Sequence, residues 1–205
     1  MTLKLNSSGG YTSIDAHASA ANNALVLPQN NGTAGQILQT DGSGNLSWVD
    51  KPSGITEIDA WRISNDTAGD NNPLTSVERV DTGNFAKKGT GMTESSGIFT
   101  FPSTGMWLVT FTGTIYGSGE SNYSYLSIET TSDNGSNWVA HDWSVLVGAA
   151  NTHYTSGSTQ AIIDVTDKTN IKVKFRTDLS NNSAVLAGSS SQSYSYFTFI
   201  RLGDT

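Results

Sequence analysis

The chain has 205 residues, a formal net charge of −7, 14% charged and 36% hydrophobic residues, and no cysteine. The acidic surplus argues against gripping nucleic acid, which needs clustered Lys and Arg to meet phosphate. The missing Cys removes disulfides and thiolate–zinc sites. The opening Met1-Thr2-Leu3-Lys4-Leu5 lacks the apolar stretch of a signal peptide, and no segment approaches the roughly 20 apolar residues of a membrane span, so no membrane insertion is expected.

Residues 1–50 are rich in Gly, Asn, Ser, Thr and Ala and carry two short apolar runs, Leu25-Val26-Leu27 and Gln36-Ile37-Leu38-Gln39. Such a segment has too few large apolar side chains to close a core, so it is expected to order itself on identical copies or on another protein. Fully extended it would reach on the order of 165 Å, enough for an arm or short stalk. The turn signals Asn31-Gly32, Asp41-Gly42 and Gly44-Asn45 predict instead that it doubles back. Leu25, Leu27, Ile37, Leu38 and Trp48 are its candidate anchor residues. Residues 51–59, around Lys51-Pro52-Ser53-Gly54, read as a linker, and residues 60–205 as a head.

The head reads as an antiparallel β-sandwich. Ile98 to Phe101 is a short strand cut by Pro102. From Trp107 to Tyr116, Trp107, Val109, Phe111 and Ile115 share one face while Thr110, Thr112 and Thr114 share the other, the period-two alternation of a half-buried strand. Tyr123 to Thr131 follows, then Asp133-Asn134-Gly135, a turn in which Asn-Gly accepts positive φ, then a return strand from Trp138 to Val147. Two more strands, Gln160 to Val165 and Ile171 to Arg176, flank a polar turn; in the second, Ile171, Val173 and Phe175 face in and Lys172, Lys174 and Arg176 face out. These three cations, read as a strand edge, and Lys87-Lys88 are expected to be solvated.

The last strand, Tyr194 to Leu202, places Phe197 and Phe199 on one face and Tyr194, Tyr196 and Ile200 on the other. A strand apolar on both faces is buried on both, and a two-layer sandwich covers only one. A loop, the N-terminal arm or a neighbouring subunit must cover the second; the subunit is the expectation, with Tyr194, Tyr196 and Ile200 as candidate trimer-interface residues.

The run Gly97-Ile98-Phe99-Thr100-Phe101-Pro102-Ser103-Thr104-Gly105-Met106-Trp107-Leu108-Val109 resembles the family of complement-globular-head and tumour-necrosis-factor-like jelly rolls, whose core is Gly-x-Phe-x-x-Pro-x-x-Gly-x-aromatic leading into a long central strand. Asp164-Val165-Thr166-Asp167 with Ile171-Lys172-Val173-Lys174-Phe175, and the closing Ser195-Tyr196-Phe197-Thr198-Phe199-Ile200-Arg201-Leu202, agree in order. The resemblance implies a ten-stranded all-β jelly roll assembling as a homotrimer about an aromatic axis. Residues 10–50 resemble something else: Gly35-Gln36-Ile37-Leu38-Gln39-Thr40-Asp41-Gly42-Ser43-Gly44-Asn45-Leu46-Ser47-Trp48 is similar to a segment of bacteriophage fibre and structural proteins. It implies attachment of this arm to other virion proteins of capsid or tail.

Catalytic and metal readings are weak. Glu129, His141 and Asp142 are acid–base types, but His141 and Asp142 point to opposite faces of a strand and do not converge. His17 and His153 lie in polar loops, and Asp66, Asp70, Asn71 and Asn72 form an oxygen-rich loop without the spacing of a calcium loop. No catalytic residue, metal ligand or cofactor is expected. Tyr123, Tyr125 and Tyr154, with Trp138 and Trp143, lie beside Asn, Ser and Asp and suit stacking on host-surface glycans; alternatively both tryptophans belong to the core and the tyrosines line the trimer. The expected protein is a non-enzymatic, short homotrimeric fibre, spike or capsid-decoration protein on the outer surface of a virion. A distal tail-fibre tip is the alternative, a secreted lectin- or cytokine-like ligand the second, and a glycan-degrading spike would need a paired-carboxylate groove.

Overall fold

A computed structural model describes residues 3–7, 9–14, 24–51, 54–85, 87–117, 123–146, 154–179 and 183–205, the backbone alone for 3–7 and 10–14. His17 and His153 lie outside the described residues. Two compact units divide the chain, Met1–Ser53 and Gly54–Thr205.

In the first unit β1 (Leu3–Ser7) pairs with β2 (Gly10–Ile14), and β3 (Gln36–Thr40) with β4 (Leu46–Asp50), both antiparallel. The chain doubles back at Asp41-Gly42-Ser43-Gly44-Asn45. There the Asp41 carboxylate accepts from Ser43 N at 2.8 Å, Asn45 N at 3.1 Å and Asn45 Nδ2 at 2.6 Å. These bonds hold its pKa below the ordinary carboxylate value, the Asn45 side chain contributing most. No side chain from residue 24 to 51 is buried, so the hairpin is held by its ladder and turn.

The head comprises β5 (Ile58–Ile63), β6 (Thr67–Ala68), β7 (Val77–Arg79), β8 (Thr93–Ser95), β9 (Ile98–Thr100), β10 (Gly105–Gly117), β11 (Ser124–Thr131), β12 (Val139–Leu146), β13 (Tyr154–Val165), β14 (Lys172–Leu179), β15 (Ala184–Leu186) and β16 (Tyr196–Gly203). All pair antiparallel in two sheets. One runs β6-β15-β10-β16-β5-β7, with β13 along the other edge of β10; its partner runs β12-β11-β14-β9-β8. No helix occurs among the described residues, and none is long and apolar enough to cross a membrane.

Packing between the sheets follows the alternation. Trp107, Val109, Phe111 and Ile115 of β10 are buried, as are Phe197 and Phe199 of β16, Phe99 of β9 and Phe175 of β14. Phe175 stacks on Phe197 at 3.8 Å, and Phe99 meets Trp61, Phe175, Phe197 and Phe199 with ring centroids 5.3–5.8 Å apart. Each such buried aromatic contributes about 1.5–3 kcal/mol by leaving water. At the β5 margin the buried Asp59 carboxylate accepts from Arg79, from Trp61 Nε1 at 2.9 Å and from Met92 N at 2.7 Å. A buried charge is tolerated because every lone pair is used.

Several expectations are corrected here. β13 starts at Tyr154, not Gln160: Thr155-Ser156-Gly157-Ser158-Thr159, polar and without apolar alternation, lies in register on β10, with Gly157 opposite Gly113. Ile58 and Asp59, expected in the linker, are β5. Strand β14 is not an edge, since it lies between β11 and β9, and Lys174 is only 8% exposed, its ammonium 3.1 Å from Glu129. Trp138 and Trp143 stay out of the core; both lie on the outer surface of the β12-β11-β14 sheet. Among the described residues of the head there are twelve strands where ten are implied, several of them two or three residues long.

Candidate functional site

Because side chains alternate, each sheet has an outer face as ordered as its core face. The outer face of the β13-β10-β16-β5 sheet is built in cross-strand rows. Register places Ile162, Leu108, Ile200 and Ile58 in one aliphatic row across four strands. The next rows are Gln160, Thr110, Thr198 and Ala60, then Ser158, Thr112, Tyr196 and Arg62. Thr112 Oγ1 meets Ser158 Oγ at 2.7 Å and Thr114 Oγ1 meets Ser156 Oγ at 2.8 Å, a hydroxyl ladder along β10 and β13. Arg62 closes one side, its guanidinium bonded to Glu78 at 2.7 Å and to Thr82 and Ser190 O.

Beyond the ladder lies a tyrosine cluster. Tyr116 and Tyr154 are 5.3 Å apart, and with Tyr194, Thr114, Asp66 and Ser189 they line a hollow of about 560 Å³. Tyr116 donates its phenol proton to Asp66, which also accepts from Gly188 N at 2.9 Å. That hydrogen bond, helped by burial, pushes the phenol pKa up to about 12, so Tyr116 stays a neutral donor. The face leaves apolar surface in water: Ile162 is 63% exposed, Tyr154 70%, Tyr194 48% and Leu202 52%.

The other outer face belongs to β12-β11-β14. Its rows are Val145, Tyr125 and Asp178; Trp143, Ser127 and Arg176; Ala140, Glu129 and Lys174. Tyr125 stands edge-on to Trp143 at 5.6 Å and 88°, and Tyr123 lies 5.0 Å from Tyr125. The Arg176 guanidinium lies over the Trp143 ring at 5.4 Å and bonds Asp178 at 3.0 Å. Lys174 sits over Trp138 at 4.5 Å while paired with Glu129.

The sequence-predicted residues therefore sort by face. Tyr194, Tyr196 and Ile200 share one outer face, Tyr194 lying two residues before β16 begins. Tyr154 joins them there, not Tyr123 and Tyr125, which lie on the opposite sheet with Trp143. The aromatic grouping of the first face lies at one end only; the other end is aliphatic. Leu108, Ile162 and Tyr116 belong to it as well, and the even-numbered positions of β10 were the signal that marked two of them. In the first unit Leu25 and Leu27 are exposed, as are Ile37 and Leu38 on opposite faces of the hairpin. Trp48 is half-buried, its indole donating to Asn30 O at 2.9 Å.

Among the described residues Glu129, His141 and Asp142 do not converge. Glu129 is engaged by Lys174, His141 is the extra residue of a bulge and bonds Thr130, and Asp142 lies in the row of Ile128. The oxygen-rich loop is likewise spent on backbone: Asp70 accepts from Leu179 N at 2.7 Å and Asn71 donates to Ala68 O and Gly69 O. Among the described residues no group of three His, Asp or Glu is placed to hold a metal ion.

No protein-family model and no curated protein sequence matches the chain. Solved structures match by shape. The structure of Eiger TNF from S. frugiperda has a TM-score of 0.57 at 10% identity, covering 75% of this chain and 96% of that one. The crystal structure of murine APRIL at pH 8.5 has a TM-score of 0.51 at 11% identity, covering 71% of this chain and 98% of that one. Likeness at such identity carries fold and not activity. The head is an all-β jelly roll of the tumour-necrosis-factor type.

Proposed function

We propose that the chain is the protomer of a short homotrimeric fibre or decoration protein on the outer surface of a bacteriophage particle, with the first unit as its attachment segment and the jelly-roll head exposed to the host. The observation that carries the trimer is the outer face of the β13-β10-β16-β5 sheet. A soluble head gains by covering a surface that ends in an aliphatic row on one side and three tyrosines on the other. A threefold contact is heterologous and closes on itself, so it covers three such faces at once. The virion reading draws support from the Gly-Gln-x-Leu-x-Thr-Asp-Gly-x-Gly-x-Leu-x-Trp segment at residues 35–48 and from the exposed Leu25, Leu27, Ile37 and Leu38 as its docking residues. The head works by attachment: three identical faces raise effective concentration at a repetitive surface, and a trimer carrying −7 per copy avoids nonspecific adhesion to anionic surfaces.

Light scattering on the size-separated full chain should give three times 21.7 kDa. Ile162→Glu, which puts a charge in the aliphatic row, should give folded monomers by circular dichroism. A monomeric wild type ends the trimer reading. Antibody labelling of intact particles tests the location, and absence of label from the particles rules out the virion reading. A secreted cytokine- or lectin-like ligand is the second reading, favoured by the likeness to Eiger TNF.

A further inference from the structure

The outer face of the β12-β11-β14 sheet has no part in the trimer argument, yet it carries aromatic side chains beside paired charged ones. Trp143, 41% exposed, and Tyr125 meet at 88° and form the two walls of a corner. Arg176 and Asp178 stand beside that corner as one donor and one acceptor 3.0 Å apart. Between Trp143 and Arg176 in the same row, Ser127 is fully buried and its hydroxyl has no hydrogen-bond partner. Buried hydroxyls are almost always satisfied; of the four among the described residues that lack a partner, those of Ser103, Ser127, Thr159 and Thr177, the Ser127 Oγ is the one in the row of Trp143 and Arg176.

From this arrangement we infer a binding site for a neutral pyranose at Trp143, Tyr125, Arg176 and Asp178. The inference rests on the reading of the head as a host-attachment knob and names the ligand class and face. A pyranose ring has a C–H face that packs flat on an indole, and its vicinal hydroxyls project in the ring plane, toward groups beside the aromatic wall. A hydroxyl both donates and accepts. A vicinal pair therefore matches Asp178 as acceptor and Arg176 as bidentate donor. The partner Ser127 lacks is a ligand hydroxyl entering beside Arg176 once the exposed Trp143 ring or the guanidinium turns aside. Charge selects the neutral class: Arg176 is flanked by Asp178 and by Glu129 at 4.0 Å, so no unmatched cation is left for a uronate or sialate. Tyr154, one of the three tyrosines expected to bind glycan, is outside this site on the opposite sheet.

The test uses the full chain with maltose, lactose and mannobiose as neutral probes and a glucuronate-containing disaccharide as the acidic one, read by saturation transfer from protein to sugar and by tryptophan fluorescence. At least one neutral probe should bind with a Kd on the order of 1 mM, the range of a shallow single-ring site. Trp143→Ala and Tyr125→Ala should each weaken it by about 10-fold or more, as losses of aromatic anchors do, and Arg176→Lys by about 5-fold through loss of the fork. Phe85→Ala, which removes an exposed aromatic ring that belongs to neither outer face, should change nothing. Both Trp143 and Tyr125 lie at the surface, and an unchanged melting curve confirms that the variants fold. No transfer to any neutral probe, stronger binding of the acidic probe, or a loss on Tyr154→Ala without one on Trp143→Ala overturns the site. Particle labelling and light scattering are read separately, so a trimer on the virion that ignores sugars sinks this site alone, and a sugar-binding monomer sinks only the trimer.

Discussion

At the scale of single residues, Asp59 and Tyr116 are each fixed by local partners. Asp59 shows it in the interior, where one carboxylate ties Arg79, Trp61 and the Met92 amide together across β5 and the segments beside it. Tyr116 shows it at the surface. Its phenol pKa, raised from 10.0 to about 12 by the hydrogen bond to Asp66, means that the folded state favours the protonated phenol. The sign follows: a group whose folded pKa is raised contributes stability that is complete below pH 10 and is lost as pH climbs toward 12. Asp66→Asn should return the Tyr116 transition toward the ordinary tyrosine range, seen in the ultraviolet absorbance of tyrosinate on titration against a Tyr116→Phe control. An unchanged transition would show that burial, not Asp66, sets the value.

At the scale of elements, the pairing of β10 with β13 depends on what is missing. Gly113 and Gly157 face each other across the ladder on the core side. A Cβ on Gly113 would lie 2.8 Å from both methyls of Leu126 and 3.1 Å from Leu186, and one on Gly157 would lie 2.2 Å from a Leu146 methyl. The two glycines make a notch that admits Leu126 and Leu146 from the facing sheet. Gly113→Ala should therefore destabilise the head by about 1–3 kcal/mol through overpacking. In a Leu126→Ala background, where the methyls are gone, the same change should cost far less, and urea denaturation of the double-mutant cycle measures the difference. Equal costs in both backgrounds would place the strain elsewhere.

At the scale of the molecule, the two units differ in how they are held. The head has a continuous aromatic core; the described side chains of residues 24–51 include none that is buried. Residues 54–205 alone should unfold cooperatively in denaturant, and residues 1–53 alone should show no cooperative transition. The proposed trimer would add mass action, so the head's unfolding midpoint should rise with protein concentration. A midpoint independent of concentration, together with monomeric mass, would mean that the outer row of Ile162, Leu108, Ile200 and Ile58 has no subunit covering it.

The amino-acid sequence determined by itself what depends on periodicity and turn chemistry. Alternation in β10 and β16 named the inward residues, because strands have only two faces, and Asp41-Gly42 and Asn134-Gly135 marked reversals, because their backbone angles suit those residues. Tertiary structure decided what depends on the neighbour across a ladder. Thr155-Ser156-Gly157-Ser158-Thr159 is a strand because β10 supplies its hydrogen bonds, and no side-chain pattern announces that. Trp143 and Trp138 look like core residues by type, yet their strand positions turn them outward beside Arg176 and Lys174. Tyr125 and Tyr154 are alike in sequence but belong to opposite sheets, since a period of two divides faces without saying which sheet carries them. The separation of the Tyr154 face from the Trp143 corner is therefore a product of sheet pairing, which brings together residues that lie dozens of positions apart.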